Sequence, residues 1–189
     1  MKDLHLALAL LSIGCGGDAL PPARPVVVEV ANQSAASLFL AGDQLSFHIR
    51  DGGGQTWRPD AAWLPLCSRC DEVCDSDMHG DPIPVWIEVL AGESISLDWE
   101  GRLYRTNEAG CSCGWSCADA SSLEDGDYEL VLEYELVLPE GWGPYDPIDM
   151  GDGVLRWEGS ELGTASPQLT QAYPITIEGQ PSMEVVFDE

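Results

Sequence analysis

Positive charge is nearly absent from this chain of 189 residues, in which lysine and arginine together number 8 against 33 aspartates and glutamates. The formal charge is -25 at pH 7, and Lys2 is the only lysine. Phosphate backbones are bound through a basic footprint, so nucleic acid is excluded as a partner, and charge alone does not draw the chain to an anionic membrane. Histidine is scarce as well: His5, His48 and His79. No Gly-x-Ser-x-Gly, no His-Glu-x-x-His and no phosphate loop is present, so no enzyme class is indicated and the chain is read as non-enzymatic. No amphipathic helical stretch of useful length occurs, and no apolar run approaches the roughly 20 residues that span a bilayer. Both absences turn attention to strands.

Apolar residues do recur, at alternate positions. Between residues 128 and 138, Tyr128, Leu130, Leu132, Tyr134, Leu136 and Leu138 fall on one side while Glu129, Glu133 and Glu135 fall on the other. That is the pattern of a half-buried strand. Leu45, Phe47 and Ile49 alternate with Ser46, His48 and Arg50, and Ile95, Leu97 and Trp99 alternate with Ser94, Ser96 and Asp98. Further strands are expected over 26–30, 37–40, 84–90, 154–157, 170–177 and 183–187. Gly and Asp clusters at Ala41-Gly42-Asp43, Ala91-Gly92-Glu93 and Glu124-Asp125-Gly126-Asp127 mark short turns, read as joining antiparallel hairpins and meanders. The expected fold is all-β, an antiparallel two-sheet sandwich with disulfide-stabilised loops, in one domain over 26–189. The run from Val89 through Trp99-Glu100-Gly101, with Gly126-Asp127-Tyr128 later, resembles the strand-turn pattern of small immunoglobulin-like bacterial surface domains.

Residues 4–13 form an apolar run of signal-peptide length, ending at Leu11-Ser12-Ile13-Gly14-Cys15. This segment resembles the lipobox of bacterial lipoproteins, although Leu11 lies one place further from the cysteine than is usual and the positive n-region is reduced to Lys2 beside Asp3. The resemblance implies removal of residues 1–14, a diacylglycerol on the thiol of Cys15 and acylation of the new amino terminus, and so a membrane partner held through the lipid. Gly16 in place of Asp implies sorting to the outer membrane. The alternative is an ordinary secretory signal cut near residues 17–19, leaving a soluble periplasmic or secreted protein. Residues 15–25 are rich in Gly, Pro and Ala and suit a flexible tether presenting the domain away from the membrane.

Six cysteines remain, in two trios: Cys67, Cys70, Cys74 and Cys111, Cys113, Cys117. Outside the cytoplasm an even number points to disulfides. A bridge within Cys111-Ser112-Cys113 is geometrically unfavourable, and pairing across the trios, connectivity open, is the economical expectation. Each trio is read as loop. The alternative makes the thiols ligands for zinc or copper(I), with Met78 and His79 following Cys74. Asp71, Glu72, Asp75, Asp77 and His79 crowd the first trio, and Asp146, Asp149 and Asp152 lie in a Gly- and Pro-rich stretch; no cofactor is expected, calcium being the alternative that oxygen ligands at such density suit, without EF-hand order. Of the seven tryptophans, Trp99 is in register for the core, whereas Trp115 and Trp142 are the candidates for an exposed binding contact, Trp115 being equally suited to filling a disulfide-tied loop. His48, on the polar side of its strand, is read as solvent-facing or hydrogen-bonded. The expected role is a lipid-anchored envelope binding or structural module with an unidentified envelope or extracellular partner. The alternatives are an envelope metal-binding protein and a secreted hydrolase with a pocket of convergent carboxylates.

Overall fold

Val26, Val28 and Val30 are buried while Val27 and Glu29 between them are exposed, so the first strand buries one face and wets the other. The computed structural model describes residues 20–42, 45–61, 64–69, 85–108, 110–138, 146–158, 168–179 and 182–188. The described residues contain strands and no helix. In chain order the strands are β1 (Val26–Asn32), β2 (Leu38–Ala41), β3 (Phe47–Asp51), β4 (Thr56–Trp57), β5 (Val85–Val89), β6 (Ser94–Trp99), β7 (Arg102–Asn107), β8 (Cys117–Ser122), β9 (Gly126–Tyr134), β10 (Ile148–Gly151), β11 (Val154–Glu158), β12 (Leu169–Ile177) and β13 (Ser182–Phe187).

Hydrogen bonding arranges them as β13-β1-β6, β10-β11-β5-β2, β12-β9-β3-β4 and the pair β7-β8. The expected all-β sandwich is the observed architecture. Its core lies between the β13-β1-β6 and β12-β9-β3-β4 layers. Phe47 and Ile49 sit opposite Leu132 and Leu130, presenting one apolar face, and Val26 and Val28 sit opposite Trp99 and Leu97 on the other. Aromatic edges lock the layers: Phe47 meets Trp99 at 5.8 Å between ring centroids, and Tyr134 meets Phe187 at 4.8 Å. β2 is buried on both sides, Leu38 and Leu40 entering the main core while Phe39 joins Trp86, Leu138 and Trp157 in a second cluster. One pair is parallel: β1 runs beside β13, the remainder of the domain serving as the crossover that parallel strands need.

Three expectations need correction. The alternation through residue 138 predicts a longer strand than β9, which ends at Tyr134; Glu135 bridges to Phe39, and beyond it Leu136 and Val137 are exposed. Alternation extends a strand only as far as a partner runs beside it, and Tyr134 is where pairing with β12 begins. The turns at 91–93 and 124–127 do not close hairpins. They carry the chain from β5 to β6 and from β8 to β9, between different sheets, and β2 and β3 on either side of the turn expected at 41–43 likewise belong to different sheets, because turn residues specify a reversal and not its partner. The second cysteine trio is not wholly loop, since Cys117 opens β8.

β4, β7, β8 and β10 carried no clear periodicity. β7 places Leu103 and Tyr104 side by side, both buried, and β10 is exposed throughout. Another feature with no sequence signal is Asn32, fully buried. Its Nδ2 donates to the carbonyls of Ala36 and Val89, and its Oδ1 accepts from the backbone and hydroxyl of Ser34, so the turn between β1 and β2 is built around one satisfied amide.

Candidate functional site

The cysteine-bearing end of the domain grows from the β7-β8 pair. β8 is flanked on its other side by residues 64–67: Ala118 donates to the carbonyl of Pro65 at 2.8 Å, and Cys67 donates to the carbonyl of Ala118 at 3.0 Å. This short parallel bridge, Leu66 beside Ala118, sets Cys67 against Cys117, and the two form a disulfide across a separation of 50 residues. Cys111 and Cys113 are disulfide-bonded as well. The bond between Cys67 and Cys117 joins one member of each trio.

The β7-β8 connection is shaped to close over that bond. Gly114, at a φ of 81°, donates to the carbonyl of Cys111, and Cys111 donates to the carbonyl of Trp115. A Cβ on Gly110 would stand 2.3 Å from the sulfur of Cys117, so only glycine lets the backbone pass. Trp115 is half-buried and packs with Cys67, Cys111 and Cys117, filling the loop. Trp142 lies outside the described residues, as do Cys15, Cys70, Cys74, Asp71, Glu72, Asp75, Asp77, Met78 and His79.

Beside the disulfide is a cavity of about 390 Å³ lined by Leu20, Pro21, Leu66, Cys67, Ser68, Ala118, Asp119 and Ala120. Asp119 is its only carboxylate among the described lining, and it faces Arg105 at 3.8 Å and Asn107 at 3.4 Å. A volume of this order accepts a small ligand, but these groups provide no acid-base pair. Next to it, burial first and then the neighbouring Glu100 carboxylate push the Tyr104 hydroxyl up to about 12, and Tyr104 donates its hydrogen to Glu100. Across β7, Arg105 lies over the Trp57 ring at 5.8 Å, and the Trp57 indole donates to Asp51. That bond, with the Gln55 and Gly53 amides, holds the Asp51 carboxyl below its ordinary value despite some opposing desolvation.

No family model matches the chain, and no curated protein or solved structure matches it. What the residues do must therefore be read from the chain itself. Among the described residues no group of three or more His, Cys, Asp or Glu is arranged to hold a metal. Asp149 and Asp152 shape the β10-β11 hairpin, Asp149 accepting from the Gly151 amide and Asp152 adopting a left-handed φ of 50°. His48 is half-buried, with its Nδ1 3.2 Å from the Glu133 carboxylate.

Arginine is largely spent inside the domain. Arg24, Arg50, Arg102, Arg105 and Arg156 each pair with a carboxylate. Sequence reasoning missed Arg24 and Arg102, which fasten residues 20–25 to the domain, and Glu88, buried beneath Ser37 and Trp157, both of which donate to it. A single charged residue in a Pro-rich segment carries no periodic signal.

Proposed function

We propose that the chain is a lipid-anchored, non-enzymatic module of the bacterial cell envelope, its β-sandwich acting as a binding or structural element outside the cytoplasm, with outer-membrane placement implied by Gly16. The observation that carries this reading is the disulfide between Cys67 and Cys117, joining two segments far apart in sequence. Bonds of this kind persist in oxidising compartments and are rare in the cytosol. The apolar run before Cys15 supplies the export route, and the acidic surface suits solubility and a basic or cationic partner.

The test is intact mass of the exported protein after alkylation under denaturing, non-reducing conditions, with metal content measured on the same preparation. The expected result is no alkylation of the six cysteines after Cys15, no stoichiometric metal, and acyl chains on an amino-terminal Cys15. Several alkylated cysteines accompanied by bound metal would overturn the module in favour of a metal-binding protein. An unacylated amino terminus would overturn the anchor and leave a soluble exported protein.

A further inference from the structure

Residues 20–25 are fastened to the body of the domain by hydrogen bonds. Arg24 donates its amide to the Glu100 carbonyl at 3.0 Å, its Nε to the Gly179 carbonyl at 2.5 Å and its Nη2 to Asp125 at 2.6 Å. Arg102 donates to the carbonyl of Pro21 at 2.8 Å. A side chain at Gly101 would stand 1.7 Å from the Arg24 carbonyl oxygen, so the β6-β7 turn is cut to fit the arm. Three turns, at 100–102, 124–126 and 178–179, thus grip one short segment, which then enters β1 at Val26.

These turns share one end of the sandwich. Val26 lies beside Trp99 at the start of β1, whereas Asn32 at its finish accepts from Gly92, and Leu90 donates to Gly153. Seven residues of strand separate the ends, or about 23 Å. Leu20 and Pro21 also line the cavity beside Cys67 and Cys117, so the disulfide-tied segment lies next to the arm.

We propose that residues 20–25 form a strap which seats this end of the sandwich, with the disulfide beside it, against the phospholipid headgroups around Cys15. The inference rests on the lipid-anchor reading. Only five residue steps separate Cys15 from Leu20, a reach of at most about 18 Å even when fully extended. A free tether would let a domain this acidic drift from an anionic leaflet, with repulsion screened only beyond about 8 Å at physiological salt. The strap removes that freedom and turns the far end, with Gly92 and Gly153, toward a partner.

The mature chain has no lysine, so Ala91→Lys and Glu178→Lys each introduce a single side-chain amine for a fluorophore, one at the far end and one beside Gly179. Full lipoprotein carrying either label is placed in phosphatidylcholine vesicles containing a nitroxide-headgroup lipid. Quenching at position 178 is expected to be severalfold stronger than at 91, and a Gly-Ser insertion of about ten residues between Gly17 and Asp18 is expected to bring the two together. Equal quenching without the insertion, or no change with it, overturns the strap. Intact mass of the same samples reads the anchor separately. If Cys15 carries no lipid, the anchor reading and the membrane seat fall, and hydrogen exchange decides the strap alone: the Arg24 amide exchanging as slowly as the β1 amides supports it, and exchange at an open-chain rate overturns it.

Discussion

Replacing Cys67 and Cys117 together by alanine removes one cross-link without leaving a free thiol. Taken alone, a bond closing a separation of 50 residues restricts the unfolded chain by about 4 kcal/mol. Cys111 and Cys113 are also disulfide-bonded, and pairing across the trios would give them Cys70 and Cys74. The long loop would then stay closed in the double variant. The bond between Cys67 and Cys117 would tighten only the short ring formed with its neighbours, a contribution of about 2 kcal/mol. The expected loss is therefore about 2 kcal/mol, measured by equilibrium urea unfolding followed through tryptophan fluorescence. A loss near 4 kcal/mol would show that this bond alone closes the long loop and would refute pairing across the trios. No measurable loss would refute a structural role for the bond.

Truncating Trp99, which is 1% exposed and edge-on to Phe47, to alanine should cost about 3–5 kcal/mol in the same assay, and Trp99→Phe appreciably less. Gly101→Ala places a side chain at a φ of 70° and against Arg24; it should destabilise by more than about 1 kcal/mol and release the Arg24 amide to hydrogen exchange. Tyrosinate absorbance should show Tyr104 ionising near 12 and not near its ordinary 10.0, with Tyr128 displaced upward as well by burial. Because the Tyr104 value is raised in the folded state, its stabilisation is complete below pH 10 and is lost as pH rises toward 12; a Tyr104→Phe variant that retains the transition near 12 would refute the assignment.

Most core strands were legible because alternation is a local signal. Val26, Val28 and Val30, Phe47 and Ile49, and Leu130 and Leu132 are spaced two apart and buried together. β7 was not legible, since Leu103 and Tyr104 are adjacent, one entering the main core and the other supported by Glu100. The site was legible only as an inventory. Six cysteines announced cross-links, but which sulfur meets which depended on residues 64–67 lying beside β8, a contact between segments 50 residues apart.

By itself the sequence determined the acidity of this protein, the strand periodicity and the two cysteine trios, all properties that composition and spacing of near neighbours express. The tertiary structure alone decided that β1 runs parallel to β13, that the turns at 91–93 and 124–127 pass between sheets, that Asn32 is a buried hub, and that Arg24 fastens the amino-terminal arm. Each of these depends on which distant groups become neighbours. That is a matter of packing and hydrogen-bond satisfaction across the whole chain, which local spacing does not encode.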